Sequence, residues 1–150
     1  MSEIDQIDAQ ILQELSADGR LPNTELSERV GLSPSACLRR VQALERARII
    51  KGYRAVLDPV ALGHGFVSYV SVGLNAHTTE AQATFEAAVA AAPEVVECHN
   101  ITGTVEYLLR VEVSDLAAYK RLHANTLGML PGVQSLITYV VMASPKDLRA

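Results

Sequence analysis

The 150-residue chain is 49% hydrophobic and 20% charged, which excludes general disorder and suffices for one large domain or two small ones. Its apolar runs are only a few residues long, as at residues 139–143, which excludes a bilayer span, and the acidic N-terminus lacks the basic-then-apolar pattern of a secretion signal. The formal net charge of -4 argues against a nucleic-acid binder until its distribution is read.

Residues 1–54 carry eight basic and eight acidic side chains. Within them, residues 33–54 hold Arg39, Arg40, Arg46, Arg48, Lys51 and Arg54 against Glu45 alone, a local excess of +5. Residues 55–150 hold five basic and nine acidic groups and account for the whole net charge of -4. Attraction to a polyphosphate decays within a Debye length of about 8 Å, so a concentrated basic stretch matters more than the total. On charge alone a solvated basic helix face reads equally well. Cys37 and Cys98 are too few for a disulfide framework and point to a cytoplasmic protein with reduced thiols.

The first third reads as three short helices. Ile4, Ile7, Ile11, Leu12 and Leu15 recur at helical spacing until Asp18-Gly19. Pro22 and Asn23 open a second helix, with Leu26 and Val30 on one face, that stops at Gly31. Ser33 suits the N-cap of a third helix and Pro34 its first position, where no amide donor is needed. A gap of about three residues between the last two helices is helix-turn-helix spacing. At about 100° per residue, Cys37, Val41 and Leu44 of the third helix share one buried arc. The opposite arc holds Ser35, Arg39, Gln42, Ala43 and Arg46, with Arg40 at its flank and no large apolar group. Guanidinium forks suit guanine edges or phosphates, an amide suits adenine, and the small Ser35 and Ala36 allow close approach to a groove. Ser33, Ser35, Ala36, Arg39, Arg40, Gln42, Arg46 and Lys51 are the candidate DNA-binding residues, with Arg40, Arg46 and Lys51 assigned to phosphates.

Residues 1–52 thus read as a helix-turn-helix domain, winged-helix-like, and residues 53–65 as a connector. A short strand is expected at residues 53–57, broken by Asp58-Pro59. From Phe66 a pattern runs twice. Strands are expected at residues 66–74, 95–101, 105–113 and 133–142, and helices at residues 79–92 and 115–128. Pro93-Glu94-Val95 and Pro131-Gly132-Val133 fall at matching points of the two units. The fold class is therefore α+β, with a C-terminal ferredoxin-like βαββαβ sandwich over residues 66–150. The sheet face away from the helices carries Val67 and Tyr69 and is expected to pack against another copy.

An enzyme is disfavoured. Gly63-His64-Gly65 lacks the third glycine and the following helix of a phosphate loop, and no cysteine or histidine pair has metal spacing. Cys98 and His99 are neighbours on one strand, so their side chains point to opposite faces. His77 and His123 are expected at the surface or an interface. The remaining rival is an effector-binding assembly module without DNA binding.

Several segments carry a family resemblance. Gly31-Leu32-Ser33-Pro34-Ser35-Ala36-Cys37-Leu38-Arg39-Arg40-Val41, then Leu44-Glu45 and Ile50-Lys51-Gly52-Tyr53, resemble the DNA-binding segment of the Lrp/AsnC, or feast/famine, regulators. Glu97-Cys98-His99, Thr102-Gly103 and Glu106-Tyr107-Leu108-Leu109 resemble the effector-domain signature of that family. Leu130-Pro131-Gly132-Val133 and Thr138-Tyr139-Val140-Val141-Met142 resemble its last strand. The resemblance implies a regulator that binds double-stranded promoter DNA as a homodimer, with the third helix in the major groove. It also implies dimerisation through the sheet, further assembly to octamers, and a free amino-acid effector, leucine or another aliphatic one, bound between dimers. It requires neither a metal nor a catalytic group. The implied effector residues are Thr102, Gly103, Thr104, Glu106, Tyr107 and Thr138, with Gly103 admitting the ligand carboxylate to backbone amides. Where the family often has two aspartates, this chain has Thr104, which loses one negative charge, and Glu106, which keeps one on a longer stem.

Overall fold

The computed structural model describes residues 4–147 and divides between Ala55 and Val56 into two compact units. In the first unit, α1 (Gln6–Ala17), α2 (Asn23–Arg29) and α3 (Pro34–Arg46) surround a core of Ile11, Leu21, Leu26, Val30, Cys37 and Leu44. Local chemistry sets the helix ends. The Asp5 carboxylate caps α1 by accepting the Asp8 amide at 2.8 Å, and the Ser33 hydroxyl caps α3 by accepting the Ala36 amide at 3.3 Å. Gly31, at φ 69, turns the chain between α2 and α3 in the left-handed region where a side chain would be strained. Asn23 pins that turn by donating its side-chain amide to the Pro34 carbonyl at 2.8 Å.

No strand forms at residues 53–57, contrary to expectation. A strand needs a neighbour to complete its ladder of N–H and C=O groups, and this stretch, which runs across the division between the units, pairs with no strand among the described residues. Tyr53, Val56 and Leu57 stand exposed instead. The first unit is therefore a three-helix domain without a wing strand.

The second unit contains β1 (Phe66–Leu74), α4 (Thr79–Ala90), β2 (Val95–Asn100), β3 (Tyr107–Val113), α5 (Leu116–Asn125), a 3-10 turn (Leu127–Met129) and β4 (Val133–Val140). The sheet is antiparallel throughout, in the order β2-β3-β1-β4. This is the expected βαββαβ topology. Val70, Val72 and Leu74 of β1 and Tyr107, Leu109, Val111 and Val113 of β3 point at the helices. They pack there on Phe85, Val89, Tyr119 and Leu122. The helices stop short of the expected ends for local reasons. Beyond α4 the Ala91 and Ala92 amides tighten onto Ala88 and Val89 just before Pro93. Asp115 lies outside α5 as its N-cap, accepting the Ala118 amide at 2.7 Å. Among the described residues no helix is long and apolar enough to cross a membrane.

Phe85 is the largest test of this core. It is fully buried, and its ring lies 4.6 Å, centroid to centroid, from that of Tyr107. Phe85→Ala should lower stability by about 3–5 kcal/mol, the usual cost of removing a buried aromatic ring. Urea unfolding followed by near-ultraviolet circular dichroism of the tyrosines would measure it, and a loss below about 1 kcal/mol would mean that the cavity collapses freely.

Candidate nucleic-acid interface and ligand site

Helix α3 is oriented by what it buries. Cys37 and Leu44 are sealed in the three-helix core and Val41 packs half-buried beside them. The opposite side is thereby turned to solvent, leaving Ser35, Arg39, Gln42, Ala43 and Arg46 exposed. Ser33 and Lys51 flank the helix and are exposed too, while Ala36 is half-buried. Leu38 differs from expectation: it is 46% exposed, so the solvent side of α3 does offer one large apolar group. It lies a quarter-turn from the buried stripe, where neither face claims it.

Arg40, expected to hold a phosphate, has carboxylate partners within its own unit. Its guanidinium turns back onto the first turn of α1, 2.7 Å from the Asp5 carboxylate and 2.9 Å from that of Asp8. The helix flank on which Arg40 sits borders α1, so its charge is satisfied within the unit. The Asp8 amide and then the Arg40 guanidinium hold the Asp5 carboxyl below its ordinary value. The same contacts, Asp5 first, raise the pKa of Arg40 further. Arg29 is engaged likewise by Glu14 and Glu25, each at 2.6 Å, which ties α2 to α1. Arg39, Arg46 and Lys51, by contrast, have no carboxylate at ion-pair distance among the described residues.

The second unit distributes its six expected effector residues over three places. Thr102, Gly103 and Thr104 form an exposed bend between β2 and β3. Gly103 has φ 135, and no other atom lies within 4 Å of where its Cβ would be, so the backbone there is open to a ligand. Glu106 follows. One carboxylate oxygen accepts the Leu74 amide at 2.7 Å and the other lies 2.9 Å from His77 Nδ1. Tyr107 and Thr138 do not join this bend. The Tyr107 ring is buried under the helices, and its hydroxyl donates to Glu86 at 2.7 Å. Burial, then the Glu86 carboxylate, push its pKa up. The Thr138 hydroxyl is bonded to that of Tyr119 on α5. His77, expected at the surface or an interface, is exposed but bound to Glu106; its spacing of 29 residues from that partner gives no local signal.

On the face away from the helices, Arg110 donates to Glu112 and to the Tyr69 hydroxyl, each at 2.9 Å. Ile137 and Tyr139 of β4 are 51% and 55% exposed on the same face. Among the described residues no group of three His, Cys, Asp or Glu side chains gathers as a metal site.

Two family models match this chain. The AsnC-type helix-turn-helix domain matches residues 4–45, and the Lrp/AsnC ligand binding domain matches residues 67–150. The leucine-responsive regulatory protein of Salmonella typhimurium is 46% identical over 145 residues, covering 97% of this chain and 88% of that protein. Its Escherichia coli K12 counterpart is 45% identical over the same coverage. Among solved structures, a transcriptional regulator of Neisseria meningitidis in complex with L-methionine superposes with a TM-score of 0.92 at 39% identity, covering 97% of this chain and 94% of that one. A feast or famine regulatory protein of M. tuberculosis, also complexed with L-methionine, has a TM-score of 0.84 at 29% identity, covering 97% and 96%.

The Asp5–Arg40 contact makes a pH prediction. A carboxyl whose folded pKa is depressed contributes stability that is complete above its unfolded value and is lost as pH falls through the lower folded value. Asp5→Asn keeps a capping side chain but removes the charge. Urea midpoints of the first unit should be lower for Asp5→Asn than for the unaltered protein near neutral pH, and the two should converge in acid. Equal midpoints at every pH would show that the contact contributes nothing.

Proposed function

The chain belongs to the Lrp/AsnC family of transcription regulators, and on that premise we propose which of its residues read DNA, which hold the effector and how copies assemble. It is a DNA-binding regulator with a ligand-binding domain for an amino-acid effector, and not an enzyme. The observation that carries the reading is the exposed Arg39–Gln42–Arg46 side of a helix whose other side is sealed in the core.

In this reading α3 enters the major groove. Ser35, Arg39 and Gln42 face base edges, Arg39 as a bidentate partner for guanine and Gln42 for adenine. Ser33 holds the helix start and Ala36 keeps it slim enough for close approach. Arg46 and Lys51 hold phosphates, setting register without reading sequence. Arg40 fixes α3 against α1 and so aims the reading face. A dimer presents two such helices about 34 Å apart, matching a roughly palindromic site. The sheet face bearing Tyr69, Ile137 and Tyr139 supplies the dimer contact, since exposed apolar side chains gathered on one face mark association surfaces. Dimers assemble further, to octamers.

The effector is leucine or another aliphatic amino acid. Gly103 opens the backbone amides to its carboxylate, and Glu106 offers a negative charge to its ammonium. The names of the relatives favour this class: the two named above are leucine-responsive and two of the solved structures hold L-methionine. Regulation requires the effector to bind two assembly states unequally. A coupling of about 1–3 kcal/mol changes promoter occupancy several-fold. Cytoplasmic location follows from the DNA target and agrees with two unpaired cysteines.

Two measurements test this. Arg39→Ala should cost about 1–3 kcal/mol in DNA affinity and relax base preference at one position, read by binding to a randomised duplex library; an unchanged profile refutes the base-reading role. Isothermal titration with aliphatic amino acids, with sedimentation velocity before and after, should give heat and a change in assembly. No heat with any of them, or a monomer throughout, refutes the effector and assembly readings.

A further inference from the structure

Helices α2 and α3 end in the same backbone motif with different residues at its centre. After α2, Gly31 takes φ 69, and the Gly31 and Leu32 amides bond back to the Glu28 and Ser27 carbonyls at 3.3 and 2.9 Å. After α3, Arg48 takes φ 58, and the Arg48 and Ile49 amides bond back to Glu45 and Leu44, both at 3.0 Å. This Schellman ending calls for a left-handed residue, usually glycine, because a Cβ there crowds the following carbonyl. The chain meets the demand with glycine at α2 and with arginine at α3. Arg48 is the one non-glycine residue with positive φ among those described.

Among the described residues no side chain holds that arginine. Its side chain is exposed, and among the described residues no carboxylate lies at ion-pair distance, whereas Arg29 and Arg40 are each held by two. With Lys51, Gly52 and Tyr53 it lines a groove just past the end of α3. Glu45 on the wall of that groove accepts the Tyr53 hydroxyl at 3.0 Å. An unpaired guanidinium and an unpaired ammonium therefore share one notch beside the reading helix. Backbone strain of this kind persists where the surroundings over-determine it, and it gathers at functional sites.

We propose that Arg48 grips a DNA backbone phosphate in company with Lys51, and that its left-handed conformation is retained because it aims the guanidinium out of the end of α3. The proposal rests on the reading of α3 as the DNA-contacting helix. Arg48 lies beyond the last turn, off the arc of Ser35, Arg39 and Gln42, so it contributes affinity and register and carries no base information. The competing account is that Arg48 merely complements the negative end of the helix dipole.

The test uses the full chain as unaltered protein, Arg48→Gly and Arg48→Lys. Each is titrated by fluorescence anisotropy against a duplex selected by the unaltered protein from a random pool and against an unrelated duplex, at about 50 to 200 mM salt. Arg48→Gly relieves the strain and should melt at higher temperature. It should nevertheless bind both duplexes more weakly by the same factor. Its log–log salt slope should be shallower by about 1.8 for a dimer carrying two copies, so that it loses about tenfold less affinity across that salt range than the unaltered protein. Arg48→Lys should keep the steeper slope. Arg48→Gly with unaltered affinity and slope overturns the proposal, as does a change in the ratio between the two duplexes. Unaltered protein that binds no duplex overturns the reading of α3 as well, which separates the two failures.

Discussion

The burial of one stripe of α3 orients everything the first unit presents to solvent. Cys37 and Leu44 have almost no exposure, and Val41 closes the same arc. A helix pinned along one side by a core has no rotational freedom, so its arginines and glutamine project as a fixed set. Helix capping adds axial definition. Ser33 and Pro34 fix where the first turn begins, and Asn23 fixes that point relative to α2. Recognition of base edges demands placement to a fraction of an ångström, which loops seldom provide and a packed helix does.

Charge in this unit is partitioned with comparable economy. The half of the chain that carries it is neutral overall, yet its acidic groups are not spread evenly against its basic ones. Asp5, Asp8, Glu14 and Glu25 are committed to Arg40 and Arg29, on the flanks where the helices meet. These pairs lie at least partly in water, so each contributes little to stability. Their larger effect is to draw the carboxylates away from Arg39, Arg46, Arg48 and Lys51. The exposed side of α3 is left positive, although the unit as a whole carries no net charge.

Periodicity and caps were legible in the sequence because they depend on neighbours three or four residues apart. The three helices and the Ser33 cap follow from such local rules, and the four strands along the chain from alternation every second residue. Arg40 was not legible in this way. Its partners lie 35 and 32 residues earlier in the chain, and only the packing of α1 on α3 brings them within reach. Residues 53–57 read as a short strand ended by Asp58-Pro59, but a local pattern cannot supply the neighbour that a ladder requires. Tyr107 follows directly on Glu106 in the motif, yet alternation along β3 sends its ring under the helices, away from the bend at Gly103. Arg48 was counted among the cations at the end of the third helix, but its backbone conformation depends on the Schellman ending, which no propensity scale marks when glycine is absent.

The second unit meets a constraint of a different kind. A ligand regulates only through states that it binds unequally, so its site must touch an element with two possible environments. In the proposed reading Glu106 would meet that condition. Its carboxylate holds the amide of Leu74, where the register of the β1–β4 ladder shifts between Gly73 and Leu74. β4 carries Ile137 and Tyr139 on the open sheet face. A charge-assisted hydrogen bond of this sort is strong enough that competition for the carboxylate is felt at its partner. In the reading proposed above, an ammonium that competed for Glu106 would act on the same ladder as a partner covering the open face, and thermodynamic linkage would make the influence reciprocal.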